Sequence, residues 1–554
     1  MSASSKKKLR KEQNAAQMTE KQQFEQKEAK KLKAYTLTFV AIMAVVLVLS
    51  VGTMAITAYI NSGITERNAD AVKIGDYTLS NADLNFYYVD AVNEQYSEWY
   101  NTYSDSTSTI VQTMYNLDLS KPLDTQAYDE TKSFADHFAE MAIENATETY
   151  AVYTEALKNG ATLTDEDKAT IDSSISNMEM YAGFYGYSNL KDYLKAVYGK
   201  GATEKNFRNY MEVNALAQNY EAEYHDGLTY EETDLTAYDK EHYNDFCSFN
   251  YTSFPVRSSD LLVCESEDDA EHTHTEEEES AALKAAEEAA KTLVASGATD
   301  AETLNAEIKK LDAYKDKDAA VSSANEDVLF TSITNEAMAQ WLADENRKEG
   351  DIAYLRYDLT STDDDGNETT SQLGYYVVIF QGKNENLTKL VNVRHILAKF
   401  EGGTTGDDGT TTYAEDEKKK ALDAINDLKS QWESGDATED SFAELAKEKT
   451  DDTASAEDGG LFEDVYPGQM VVNFNDWCFD ESRQAGDVGV VETEYGYHLI
   501  YFVKTTDKTY RNYMIENIMR DNDYNAWFEA TVDAVTATTL DTSKLSRDMV
   551  LEPA

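Results

Sequence analysis

The chain has 554 residues, with 104 acidic side chains against 49 Lys and Arg, and a formal net charge of −55. That length exceeds what one hydrophobic core serves, so several domains are expected, and so negative a surface repels phosphate backbones and argues against a nucleic-acid partner. With 41% hydrophobic and 11% aromatic residues, the chain is too rich in core formers to be disordered throughout.

Residues 1–33 hold ten basic residues against four acids, a surplus of six that leaves −61 on the remainder. Residues 34–60, AYTLTFVAIMAVVLVLSVGTMAITAYI, carry no charge. At ~1.5 Å rise per residue this run exceeds the ~30 Å hydrocarbon core of a bilayer. The basic flank before it and the acidic mass after it predict a single-pass cell-membrane anchor, N-terminus cytoplasmic and bulk extracytoplasmic. A cleaved signal peptide competes, because small residues stand near Ala55 and Ala58; the length of the run favours the uncleaved anchor. The three cysteines, Cys247, Cys264 and Cys478, are too few and too odd for a disulfide framework, and a Cys247–Cys264 bridge stays open.

Past the apolar run, VKIGDYTLSNADLNFYY (72–88) predicts a short strand, a Gly-Asp turn and a helix capped by Ser80 or Asn81. Residues 66–230 then predict a helical lobe. In 189–220, Tyr193, Leu194, Val197 and Tyr198 form one stripe, Gly199 and Gly201 stop the helix, and Thr203 opens the next.

From about residue 245 the texture changes to short strands and helices, and it repeats. DENRKEGD (344–351) returns as DESRQAGD (480–487), Leu329–Phe330 answers Leu461–Phe462, and Met338 answers Met470. A helix carrying Leu283, Ala286, Ala290 and Leu293 answers one carrying Ala421, Ile425, Leu428 and Trp432. Residues 245–385 and 391–505 are thus expected to be two copies of one α+β domain. The acidic runs at 267–279 and 361–368 read as solvated loops, and His272 and His274 beside Cys264 match no closed zinc pattern. Residues 506–554 carry a last amphipathic helix, with Tyr513, Ile515, Ile518 and Met519 on one side, expected to pack on the helical lobe.

His395 in VNVRHILAKF and His498 in EYGYHLIYFVK each interrupt an apolar strand, and a half-buried histidine needs partners for its ring nitrogens. Two histidines in neighbouring strands can satisfy each other. Residues 391–505 resemble the parvulin family of peptidyl-prolyl isomerases, through VRHILAK, FAELAKEKTDD, SAEDGGLF, GQMVVNF and YGYHLI in the family's order. The resemblance implies catalytic His395 and His498, a carboxylate at Asp452 (or Asp451, one residue off), and a hydroxyl at Thr493. It implies a proline pocket of Met470 and Phe474, with Phe462 and Gln469 beside them. Gly459 and Tyr495 depart from the family's usual residues, which bears on substrate preference. In the first copy Tyr376 stands for His498, Ser253 for His395, and GQM is missing, so that copy is expected to keep the fold and lack the site.

The whole arrangement resembles bacterial extracytoplasmic foldases of the PrsA-like and SurA-like kind. It implies a membrane-anchored isomerase and chaperone acting on unfolded secreted or surface polypeptides with X-Pro bonds, with no cofactor and no metal. A non-catalytic holdase and an acidic adhesion or cation-binding protein are the competing readings.

Overall fold

A computed structural model describes residues 61–262, 274–362, 368–406 and 410–551. The 34–60 segment, Cys264 and His272 lie outside these residues; among the described ones no helix is long and apolar enough to cross a membrane. Two compact units form, one taking the chain up to Leu228 and again from Asn522, the other Thr229–Asp521.

The first unit is helical, with a small sheet. Ser80, not Asn81, caps the helix Asn81–Tyr103: its hydroxyl accepts from Asp83 N, and Asp83 reaches back to Ser80 N. The same reciprocal cap starts Phe134–Lys158 at Ser133 and Glu204–Gly227 at Thr203, each satisfying orphan N–H groups of a first turn. These helices bury Leu84, Tyr88, Val92, Phe138 and Ala142 against Val72, Ile74 and Leu79 of the hairpin Asp70–Ile74/Tyr77–Ser80. The end of the chain completes this unit. Ala537–Thr539 pairs antiparallel with Asp70–Ile74 (Val72 opposite Thr539), Asn81 Nδ2 donates to Asp541 O at 2.7 Å, and Leu545 enters the core.

The second unit carries two four-stranded antiparallel sheets. In the first, Ser323–Leu329, Ser248–Arg257, Glu368–Asn384 and Ile352–Thr362 lie side by side in that order; in the second, Leu461–Val465, Lys389–Lys399, Gly496–Thr509 and Val488–Glu492 do. Numbered by appearance within each copy, both run second–first–fourth–third, so the sequence repeat is a repeat of topology. Alternation along each strand gives the sheets two apolar faces. In the second copy Ile396 and Leu499 face Ile425, Trp432 and Phe442 of the long helices, while Val393, Ile500 and Phe502 face Phe474 and Cys478 of the short helix Val472–Cys478.

The register equates the copies residue by residue. Gly374 pairs with Arg257 and Gly496 with Lys399; both glycines have φ +153°, and a Cβ on either would sit 2.1 Å from a carbonyl oxygen of the neighbouring strand. Counting from these glycines, Tyr376 occupies the place of His498 and Ser253 that of His395. One pairing read from the sequence needs correction. Arg347 lies 3.8 Å over the Trp341 ring and Arg483 4.1 Å over Trp477, each also donating from Nε to that tryptophan's carbonyl. This shared device equates Met338 with Phe474, both buried in their short helix, and not with Met470.

The last helix, Tyr510–Asp533, divides its apolar residues. Ile515 packs with Leu235 and Phe246 of the second unit, joined by Met519, while Ile518 is exposed; in the first unit Trp527 stacks 4.0 Å from Tyr224.

Candidate active site

His395 and His498 sit on adjacent central strands, on the face that carries Val393 and Phe502. His395 lies opposite Ile500 and His498 opposite Leu397, so the histidines are diagonal neighbours, within reach of each other's rings. Their Nδ1 atoms are 3.1 Å apart, and both residues are buried, 3% and 6% exposed.

The outer nitrogens are also engaged. His395 Nε2 is 2.9 Å from Asp452 Oδ2 and 3.1 Å from Ser455 Oγ, and Ser455 Oγ donates to the same carboxylate oxygen at 2.5 Å. His498 Nε2 is 2.9 Å from Thr493 Oγ1. A carboxylate only accepts, so His395 must donate from Nε2. Its Nδ1 then accepts from the N–H at His498 Nδ1, and His498 Nε2 accepts the Thr493 hydroxyl proton. One chain of donors runs Thr493 to His498 to His395 to Asp452, and it closes with both rings neutral.

The electrostatics agree with that proton count. Burial drives His498 down to about 4, aided by its proximity to His395. Burial lowers His395 too, against the pull of Asp452. For Asp452 burial acts upward, but the Ser455 and His395 hydrogen bonds win and hold it below the ordinary carboxylate value.

The apolar wall comes from the other side. Phe462 stacks on His395 at 4.8 Å, and Phe474 meets His498 edge-on at 5.3 Å and His395 at 5.8 Å. Met470 packs, half-buried, on the same cluster. Gln469 is not brought there: it is exposed, and its Oε1 accepts from Tyr466 N at 3.1 Å, tying the turn before Met470. Asp451 is resolved from Asp452 by geometry, since its Oδ2 accepts from Lys399 N and does not meet a histidine. Ser455 was missed in the sequence, although a hydroxyl three residues after an acid is the signal for such a contact. Gly460 holds His395 in place: its O accepts from His395 N at 2.8 Å, and a Cβ on it would lie 2.1 Å from His395 O.

In the first copy the equivalent places hold a different set. Tyr376 lies 4.4 Å from Tyr357, which takes the position of Thr493, and Ser253 Oγ accepts from Asn325 Nδ2 at 3.2 Å.

A diagonal histidine pair on the central strands, an acid and a hydroxyl at its ends and a Phe–Met wall beside it define a parvulin-type domain. Residues 375–509 match the family model of the PPIC-type PPIASE domain. Over 67 residues the chain is 42% identical to Foldase protein PrsA 1 of Listeria innocua, a stretch covering 12% of this chain and 23% of that protein. Over 153 residues it is 31% identical to Chaperone SurA of Methylococcus capsulatus, covering 27% of this chain and 30% of that one. Among solved structures it is similar to PrsA from Bacillus subtilis at 26% identity and a TM-score of 0.17, covering 27% of this chain and 50% of that one. The chain thus spans less than a third of the length of these two curated relatives.

Proposed function

We propose that the chain is an extracytoplasmic foldase, anchored by residues 34–60, whose second copy isomerises X-Pro bonds in unfolded secreted or surface polypeptides while the helical unit holds them. The observation that carries this reading is the closed Thr493–His498–His395–Asp452 hydrogen-bond chain beside the Phe474–Met470 wall.

An X-Pro bond turns over a barrier of roughly 20 kcal/mol without any covalent bond being made or broken. Catalysis therefore asks for a grip on the ring and a local field that favours the twisted amide over the planar one. Met470 and Phe474 supply the grip, each able to contribute roughly 1.5–3 kcal/mol by burial. The neutral histidines, oriented from both ends by Asp452 and Thr493, supply fixed dipoles that need not reorganise as amide resonance is lost. Lowering the barrier by about 5 kcal/mol gives roughly 10⁴-fold acceleration. Neither ring is free to act as a nucleophile, because both nitrogens of each are engaged.

The test is a proline-peptide isomerisation assay on the full chain. Acceleration that is lost in His498→Ala supports the reading; a wild-type chain that leaves the uncatalysed rate unchanged, yet suppresses client aggregation, makes the protein a holdase.

A further inference from the structure

We propose that residues 180–205 of the helical unit form a face that lies on the headgroup layer of an anionic bilayer, at the point where the chain leaves the membrane. The inference rests on reading 34–60 as the anchor.

Three observations meet here. The first is the exit of the chain. Lys195 Nζ donates to Asn61 O at 3.1 Å, and Arg67 donates from Nη2 to Ser62 O and from Nη1 to Gly201 O at 3.0 and 3.2 Å. The residues that follow the apolar run are therefore held at the C-terminal end of the helix Leu190–Val197. That helix is ~12 Å long at 1.5 Å per residue, longer than the ~5–7 Å headgroup layer is deep, so the proposed face requires it to lie along the bilayer surface.

The second is apolar surface at that other end. Met180, Phe184 and Tyr185 are 62%, 82% and 65% exposed. The rings of Tyr185 and Tyr187 lie 6.5 and 5.5 Å from Tyr193 on the helix itself, which joins this patch to the exit point. Aromatic rings with one apolar and one polar end favour the headgroup level of a membrane.

The third is charge. Residues 180–205 carry Lys191, Lys195, Lys200 and Lys205 against Asp192 and Glu204, a local surplus of two positive charges in a chain of −55. Lys191, Lys200 and Lys205 are exposed. Exposed aromatic surface alone would suit an unfolded client, whereas aromatic surface flanked by lysines at the exit of the chain fits anionic headgroups. The lysines also offset, locally, the repulsion that the acidic remainder would feel there.

The experiment uses the full chain in phosphatidylcholine vesicles with and without phosphatidylglycerol, reading amide hydrogen exchange over 180–195. Slower exchange is expected in the anionic vesicles, with the protection factor falling roughly fivefold for each of Lys191→Gln and Lys205→Gln, and falling also in Phe184→Ser. Extraction with alkaline carbonate separates the two ideas. A chain that resists extraction but exchanges equally in both lipids retains the anchor reading and overturns this one. A chain washed off by carbonate overturns both. Protection given by a reduced, alkylated client protein, and not by vesicles, would assign the patch to clients and overturn the membrane face.

Discussion

Acidification should loosen the second sheet over a defined window. His498 is neutral down to about 4 in the folded chain, against 6.5 when exposed. Between those values the unfolded state binds a proton that the folded state refuses, so the stability of this domain falls as pH falls, and it is flat above 6.5 with respect to this group. At pH 4.5 about three-quarters of the full difference of roughly 3.4 kcal/mol is expressed, about 2.5 kcal/mol. His395 is lowered in the same direction and adds to the effect, while Asp452, held below the ordinary carboxylate value, loses its contribution only at lower pH. Protonating the many acids of a −55 chain relieves self-repulsion and acts the opposite way, so the wild type must be compared with His498→Gln. The assay is native-state hydrogen exchange of strands 391–399 and 496–502 in the full chain, corrected for the pH dependence of intrinsic exchange, with ¹⁵N-histidine spectra following the rings. The wild type should lose opening free energy from pH 6.5 to 4.5, with a shallower slope in the variant. Identical slopes, or a His498 ring titrating near 6.5, would refute the argument.

Met470→Ala should weaken ring binding by roughly 1.5–3 kcal/mol, seen as a raised KM for proline peptides with the domain still folded. Gly460→Ala puts a Cβ against His395 O at a φ of +71° and should cost ~3 kcal/mol or more, measured by thermal unfolding. Ser455→Ala removes a donor to Asp452, so the low-pH limb of activity should shift upward, with about 1 kcal/mol lost in stability. His395→Ala combined with His498→Ala should abolish isomerisation yet preserve suppression of client aggregation by light scattering; loss of both would join the two activities in one site.

The histidine pair was legible because a buried histidine in an apolar strand demands a partner and a neighbouring strand of a small sheet can supply it diagonally, whereas Asp452, Thr493, Met470 and Phe474 were legible only through the family resemblance. The repeat was legible for a similar reason: alternation and turn residues recur in order. The Met338 pairing failed because the copies differ in length between two landmarks. Phe330 to Asp344 is 14 residues and Phe462 to Asp480 is 18, so counting from the first landmark gives Met470 and counting from the second gives Phe474. Only the stacking of Arg347 on Trp341 and Arg483 on Trp477 shows which count holds in three dimensions. Gln469 was misplaced because a neighbour of a pocket residue in a turn need not point the same way. The pairing of Ala537–Thr539 with Asp70–Ile74 joins segments more than 460 residues apart, and no local pattern announces it.

Comparison of the copies separates what holds this fold from what works in it. Both keep the strand order, the close-approach glycine at the start of the last strand and the Arg-on-Trp lock. The positions of the histidine site differ: in the first copy Tyr376 packs against Tyr357 as an aromatic pair joined by a side-chain hydrogen bond. Burial pushes the Tyr376 hydroxyl up to about 12, so the group in the place of His498 does not titrate between pH 4 and 7 in the first copy. The second copy, by contrast, buries two neutral histidines that cost it stability in acid. The same exchange experiment therefore contains its own control. Strand 374–380 should lack the acid slope assigned to His498, which strand 496–502 should show; equal slopes in both would place the pH dependence in the shared fold and remove it from the site.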